Sequence, residues 1–121
     1  MQTQPFLVQS APLILHLRKH LMDKKQLRAI GHHLKPVVTI AGAGLSENVL
    51  TELDRALHDH ELIKIKIAVD DREARKGLIE DLCLQQKAEH VQSIGKVALI
   101  LRRNSRPNPK TSNLIRFLSE I

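Results

Sequence analysis

The chain is nearly without aromatic residues. Phe6 and Phe117 stand near its two ends, and tryptophan and tyrosine are absent. Any core must therefore be aliphatic, built from Leu, Ile, Val and Ala. The interior of the sequence also offers no aromatic platform on which unstacked bases could lie. Cysteine is almost as scarce. Cys83 is the only one, which excludes an internal disulfide and a cysteine-based zinc site. No run of about 18 apolar residues occurs, so a transmembrane helix is not expected. A secretory signal is not expected either. "LVQSAPLILHL" is weakly apolar, and Arg18 and Lys19 follow it instead of preceding it.

What is present suits one domain. The chain has 121 residues, of which 42% are hydrophobic. A domain of this size buries roughly two thirds of its unfolded surface. The net charge of +6 points to an anionic partner. Its distribution is uneven: residues 22–102 carry 13 Lys/Arg against 12 Asp/Glu, so the excess sits mostly on the ends. A binding surface within the middle must come from local clustering of cations.

Residues 1–21 read as a peripheral extension, with Gln, Ser and Pro, no acid and no clear periodicity past Leu15. Met22 stands where a start codon could lie. From there "MDKKQLRAIGHHL" reads as a short helix, with Asp23 as cap and Leu27, Ile30 and Leu34 as its apolar stripe. Pro36 ends it before the strand "VVTI". Ser46 caps a second helix running to about His60, with Val49, Leu50, Leu53, Ala56 and Leu57 on one face. "LIKIKIAV", 62–69, alternates as a strand: Ile63, Ile65, Ile67 and Val69 face one way, Lys64 and Lys66 the other. Asp70 or Asp71 caps a third helix whose buried face is Ala74, Leu78, Leu82 and Cys83. "HVQSI" and "VALILR" are two further strands joined by a tight turn at Gly95-Lys96. The order αβαβαββ implies an α/β two-layer sandwich with a four-stranded mixed sheet. Residues 22–103 form the domain in this reading. Residues 104–121 form a basic, flexible tail, with at most a helical turn in "NLIRFLSEI".

One junction carries a chemical suggestion. In "PVVTIAGAGLSENVL" an apolar strand ends in Ala41-Gly42-Ala43-Gly44 and a helix follows at once. Glycines there let backbone amides turn outward, and the helix adds its positive end, so a phosphate could be held. A plain strand-to-helix turn needs small residues too. Two sharper motifs fail. A P-loop requires Gly-Lys-Ser/Thr, and Gly44 is followed by Leu45-Ser46. A dinucleotide fingerprint would place its third glycine where Glu47 stands. Lys64 and Lys66 leave one sheet face wet or covered by an anion, and Lys24, Lys25, Arg28, Lys35 and Lys96 could extend it. The pairs His32-His33 and His58-x-His60 lack a third ligand, so no metal is expected. Cys83 falls on an apolar helix face and reads as a core residue. No cofactor and no small-molecule substrate are implied, and no catalytic constellation stands out.

These blocks together resemble the YhbY-like CRM domain family. The likeness runs from about Met22 to Arg103 and rests on Leu34-Lys35-Pro36-Val37, the Gly-rich loop with Leu45-Ser46-Glu47, "HELIKIKI", and Ile94-Gly95-Lys96. The resemblance implies the αβαβαββ fold and RNA binding through a GxxG-type loop that sets backbone amides against the RNA. That loop aligns with Ala41, Gly42, Ala43 and Gly44. Ala41 replaces the first glycine, and alanine tolerates positive φ less well. Ser46, Lys24, Lys25, Arg28, Lys35, Lys64, Lys66 and Lys96 would join it, with Arg102 and Arg103 beginning a tail that adds reach. A single compact copy is similar to the bacterial stand-alone members. That implies a cytoplasmic, monomeric, non-catalytic factor on ribosomal RNA of the large-subunit precursor. Two other classes stay open: an adaptor whose lysine face meets an acidic protein, and a nucleotide-using transferase. DNA in place of RNA is a variant of the first reading.

Overall fold

The computed structural model describes residues 21–119, so the 1–20 part of the expected extension lies outside the described residues. Three side chains begin the helices. Asp23 forms a capping box with Gln26, in which its carboxylate accepts from the Gln26 amide and its own amide donates to the Gln26 side chain. Helix α1, Lys24–His32, follows and buries Leu27 and Ile30. Ser46 caps α2, Glu47–His60, by accepting from the Val49 amide, and Asp71 caps α3, Arg72–Gln86, by accepting from the Ala74 amide. Each such cap contributes about 1 kcal/mol. A fourth helix, α4, Asn113–Ser119, closes the chain.

The strands are β1, Pro36–Ile40; β2, Leu62–Ile67; β3, Glu89–Ile94; and β4, Val97–Leu101. They form one mixed sheet in the order β1-β2-β4-β3. β1 and β2 are parallel and joined through α2, while β4 is antiparallel to both of its neighbours. β4 lies between the two strands that α3 connects. Its residues Ala98 to Leu101 are buried on both faces, as the unbroken apolar run "VALIL" requires of a central strand.

One face of the sheet packs on α2 and α3. Val38, Ile40, Ile63, Ile65, Ile67, Ala98 and Ile100 meet Leu53, Leu57, Ile79 and Leu82 there. Truncating a fully buried member such as Ile65 to alanine removes about 2–5 kcal/mol. On α3 the buried pair is Ile79 and Leu82; Leu78 and Cys83 are half-buried, and Ala74 is exposed. Ala74 sits in the first turn of α3, where little of the sheet lies beneath it. Burial holds the Cys83 thiol above its ordinary pKa.

The sandwich of α2 and α3 on the sheet matches the sequence reading, and a partial helical cover lies on the opposite face. Leu62, Leu99, Leu101 and Val91 pack there against Leu27 and Ile30 of α1 and Leu114 and Leu118 of α4. The segment 104–119, read from sequence as part of a flexible tail, is therefore packed onto the domain through α4. Apolar α4 side chains hold it at one end, and hydrogen bonds hold it along its length. Glu61, fully buried, accepts from the Asn104 amide at 2.6 Å and from Ser112 Oγ at 2.7 Å. His60 Nδ1 donates to the Thr111 carbonyl, and Thr111 Oγ1 to that of Asp59. Glu61 stands at φ +63 and ψ −56, a sparsely populated region that costs about 1–3 kcal/mol and persists only where its surroundings enforce it. Its carboxylate contacts provide that enforcement.

Candidate functional site

A single glycine shapes the loop between β1 and α2. Gly44 has φ +76, and its amide donates to the Ala41 carbonyl at 2.9 Å, closing a turn over 41–44. The Ser46 amide then donates back to the Gly44 carbonyl. Gly42 has an ordinary φ and open space where a Cβ would be. Ala41 also avoids positive φ. The alanine in the first position of the GxxG pattern therefore costs the loop nothing, because only its last glycine is conformationally required.

The loop presents backbone outward. Residues 41–43 are exposed, and the amides of Gly42, Ala43 and Leu45 find no acceptor among the described residues. The α2 N-terminus follows at once, adding the Glu47 and Asn48 amides, which have no acceptor among the described residues, and the positive end of its dipole. Ser46 Oγ is occupied in capping.

At the same end of the sheet, Ile67 donates to the Lys96 carbonyl and Ala68 to that of Ile40. This gathers the loop, the end of β2 and the β3–β4 turn, where Gly95 takes φ +59. Lys96 arrives there already paired, its Nζ donating to Asp70 Oδ1 at 2.6 Å. That bond, with the lysine's charge, holds the Asp70 carboxyl below the usual carboxylate range. Both groups are exposed, so the pair is weak and an anion can compete for Lys96.

The remaining expected cations divide. Thr39 of β1 lies opposite Lys66 in the β1–β2 ladder, and Pro36 lies opposite Lys64. Both lysines project from the face that α1 only partly covers. Lys24, Lys25 and Arg28 run along the exposed side of α1, three and four residues apart, so they form one strip. Arg28, His32 and Lys64 line a common groove. Lys35 is exposed in the link from α1 to β1. None of Lys24, Lys25, Arg28, Lys35, Lys64 or Lys66 has a carboxylate partner among the described residues.

Arg102 and Arg103 do not join this surface. They follow β4 at the opposite end of the sheet, because β4 runs antiparallel to β2. Arg102 instead ties helices together: it pairs with Asp54 Oδ1 at 3.0 Å and donates to the carbonyls of Asp54 on α2 and Gln86 on α3. Arg103 is half-buried and faces Glu89 at 3.6 Å. Reasoning from the sequence does not single out His32 and Gln92 for this surface. The alternation along β3 puts Gln92 and Ile94 on one face, but which face depends on pairing with β4.

A family model described as the CRS1/YhbY (CRM) domain matches residues 21–102. The chain belongs to that family. Among its relatives, a Pseudomonas aeruginosa protein named as a probable RNA-binding protein is 55% identical over 95 residues, covering 78% of this chain and 91% of the relative. A Haemophilus influenzae protein named as RNA-binding is 44% identical over 80 residues, covering 66% and 81%. The solution structure of a hypothetical Staphylococcus aureus protein superposes with a TM-score of 0.63 at 31% identity, covering 74% of this chain and 92% of that one. In this CRM domain no described helix is long and apolar enough to cross a membrane, and no three potential metal ligands cluster among the described residues.

Proposed function

We propose that this protein binds RNA, and that it acts in the cytoplasm as a single-copy assembly factor on ribosomal RNA of the large-subunit precursor. The carrying observation is one continuous surface. Backbone amides of Gly42, Ala43 and Leu45, and the α2 N-terminus, adjoin a sheet face and helix strip whose cations have no carboxylate partner among the described residues. Backbone amides and lysines contact phosphates without reading bases, so affinity would be salt-sensitive and tied to RNA shape. The names of the Pseudomonas and Haemophilus relatives support the RNA partner. The likeness to bacterial stand-alone members supports the ribosomal one. In this reading the surface binds and positions, with no catalytic step.

The test is a sucrose-gradient profile of cell lysate, probed for the protein at low and moderate salt. Co-migration with free or precursor large subunits, released by salt, is the expected result. Confinement to the top of the gradient at low salt overturns the ribosomal assignment.

A further inference from the structure

The exposed sheet face is organised in rows. Strand register places Pro36, Lys64, Leu99 and Gln92 in one row across β1, β2, β4 and β3, and Thr39, Lys66, Val97 and Ile94 in the next. Helix α1 covers the first row. Gly31 sits so close that a Cβ built on it would lie 2.5 Å from Leu99 Cδ2. The second row stays open, and Ile94 keeps 70% of its surface exposed. The step between helix and open row forms a groove of about 480 Å³. Its floor is Val97 and Leu99, Arg28 and His32 stand on the helix wall, Lys64 lies to one side, and Gln92 and Ile94 lie to the other. Among the described residues, no carboxylate lines it.

We infer that this groove is a base pocket, taking one unstacked RNA nucleotide whose phosphate pairs with Arg28 and Lys64. The inference rests on the RNA-binding reading above and deepens it. A site for phosphate alone needs cations but no apolar floor. Here an aliphatic floor lies beside the cations, and the far wall carries a side-chain amide. The Gln92 amide offers two donors and an acceptor, enough to pair with one edge of a base. Aliphatic side chains can cover a base face without an aromatic ring. The scarcity of Phe, Tyr and Trp therefore does not exclude base contact; it moves that contact to Val97 and Ile94. Continuity argues for the same ligand at both places. The open row begins at Thr39, two residues before the loop, about 7 Å at the strand rise.

The experiment is an NMR titration of the full chain with two heptamers of ribose phosphate, one carrying mixed bases and one abasic. Methyl signals of Val97 and Ile94, the Gln92 side-chain amide, and the backbone amides of 42–45 are followed. The base-bearing heptamer should shift both groove and loop signals; the abasic one, whose phosphates can still reach Arg28 and Lys64, should shift the loop and leave the Val97 and Ile94 methyls and the Gln92 amide nearly unmoved. Ile94→Ser, at an exposed position, should weaken the base-bearing heptamer roughly fivefold, the effect of some tens of Å² of apolar contact, and leave the abasic one unchanged. Loop shifts with a silent groove, or equal groove shifts from both heptamers, overturn the base pocket and leave the RNA reading standing. Silence at loop and groove with both heptamers overturns both. Equal groove shifts from an acidic heptapeptide would assign the groove to a protein partner and likewise overturn the inference.

Discussion

Replacing Gly44 by asparagine and, separately, by aspartate divides the loop's strain from the charge of its ligand. Gly44 stands at φ +76, where an L residue pays roughly 1–2 kcal/mol, with Asn and Asp at the low end. Space is not limiting, because the nearest atom to an added Cβ is Leu78 Cδ2 at 3.9 Å. Both variants should therefore lose about 1 kcal/mol in urea unfolding, and by equal amounts. They differ in one negative charge beside the unpaired amides. Against a phosphate 4 Å away, that charge costs about 1 kcal/mol at the dielectric of water and about 4 kcal/mol at an effective value near 20. The aspartate variant should thus bind RNA at least about fivefold more weakly than the asparagine variant. Filter binding to transcribed large-subunit ribosomal RNA at physiological salt reads the difference. Equal affinities, with equal stabilities, would refute the idea that a phosphate lies at this loop.

Other outcomes follow from the same geometry. Replacing Lys64 and Lys66 together by alanine should make the slope of log affinity against log salt shallower by roughly 1.4, about 0.7 for each phosphate of a single strand that the protein no longer neutralises; an unchanged slope would remove that face from the interface. Glu61→Ala leaves Ser112 Oγ and the Asn104 amide without their buried acceptor, at about 1–3 kcal/mol each, so urea unfolding should show a loss of several kcal/mol, and hydrogen exchange in α4 should rise. A loss of less than about 0.5 kcal/mol would show that the C-terminal segment is held by its apolar packing alone. The Asp70 carboxyl titrates low because Lys96 donates to it, so the pair's contribution is present above the ordinary carboxylate range and is lost as pH falls through the lowered value. Lys96→Ala should return the Asp70 carboxyl to the ordinary range in an NMR titration; a value that stays low would assign the shift to Arg75, whose guanidinium donates to the Val69 and Asp70 carbonyls nearby.

The parts legible along the chain were those determined within a few residues. Asp23, Ser46 and Asp71 each sit where a short polar side chain precedes an apolar stripe, and each caps its helix. The alternation of "LIKIKI" separates the isoleucines that enter the core from the lysines that do not. Gly44 was legible as part of a turn, though its neighbours' roles were not. A GxxG pattern does not say which glycine needs positive φ, and here only Gly44 does.

Long-range partners settled the rest. Arg102 reads as one more cation of a basic tail until Asp54 and Gln86, 48 and 16 residues away, are seen to hold it between two helices. The tail reads as flexible because "NSRPNPK" breaks regular structure. It is held by Glu61 and by a second apolar cluster that forms only once α1 has crossed the sheet. The rows that set Lys64 and Gln92 on either side of Leu99 depend on β4 lying between β2 and β3, an order no single strand encodes. Capping and periodicity are energies of neighbours in sequence. Strand order, register and the pairing of a buried carboxylate are energies of neighbours in space, and these determine which of the cations remain available to an anion.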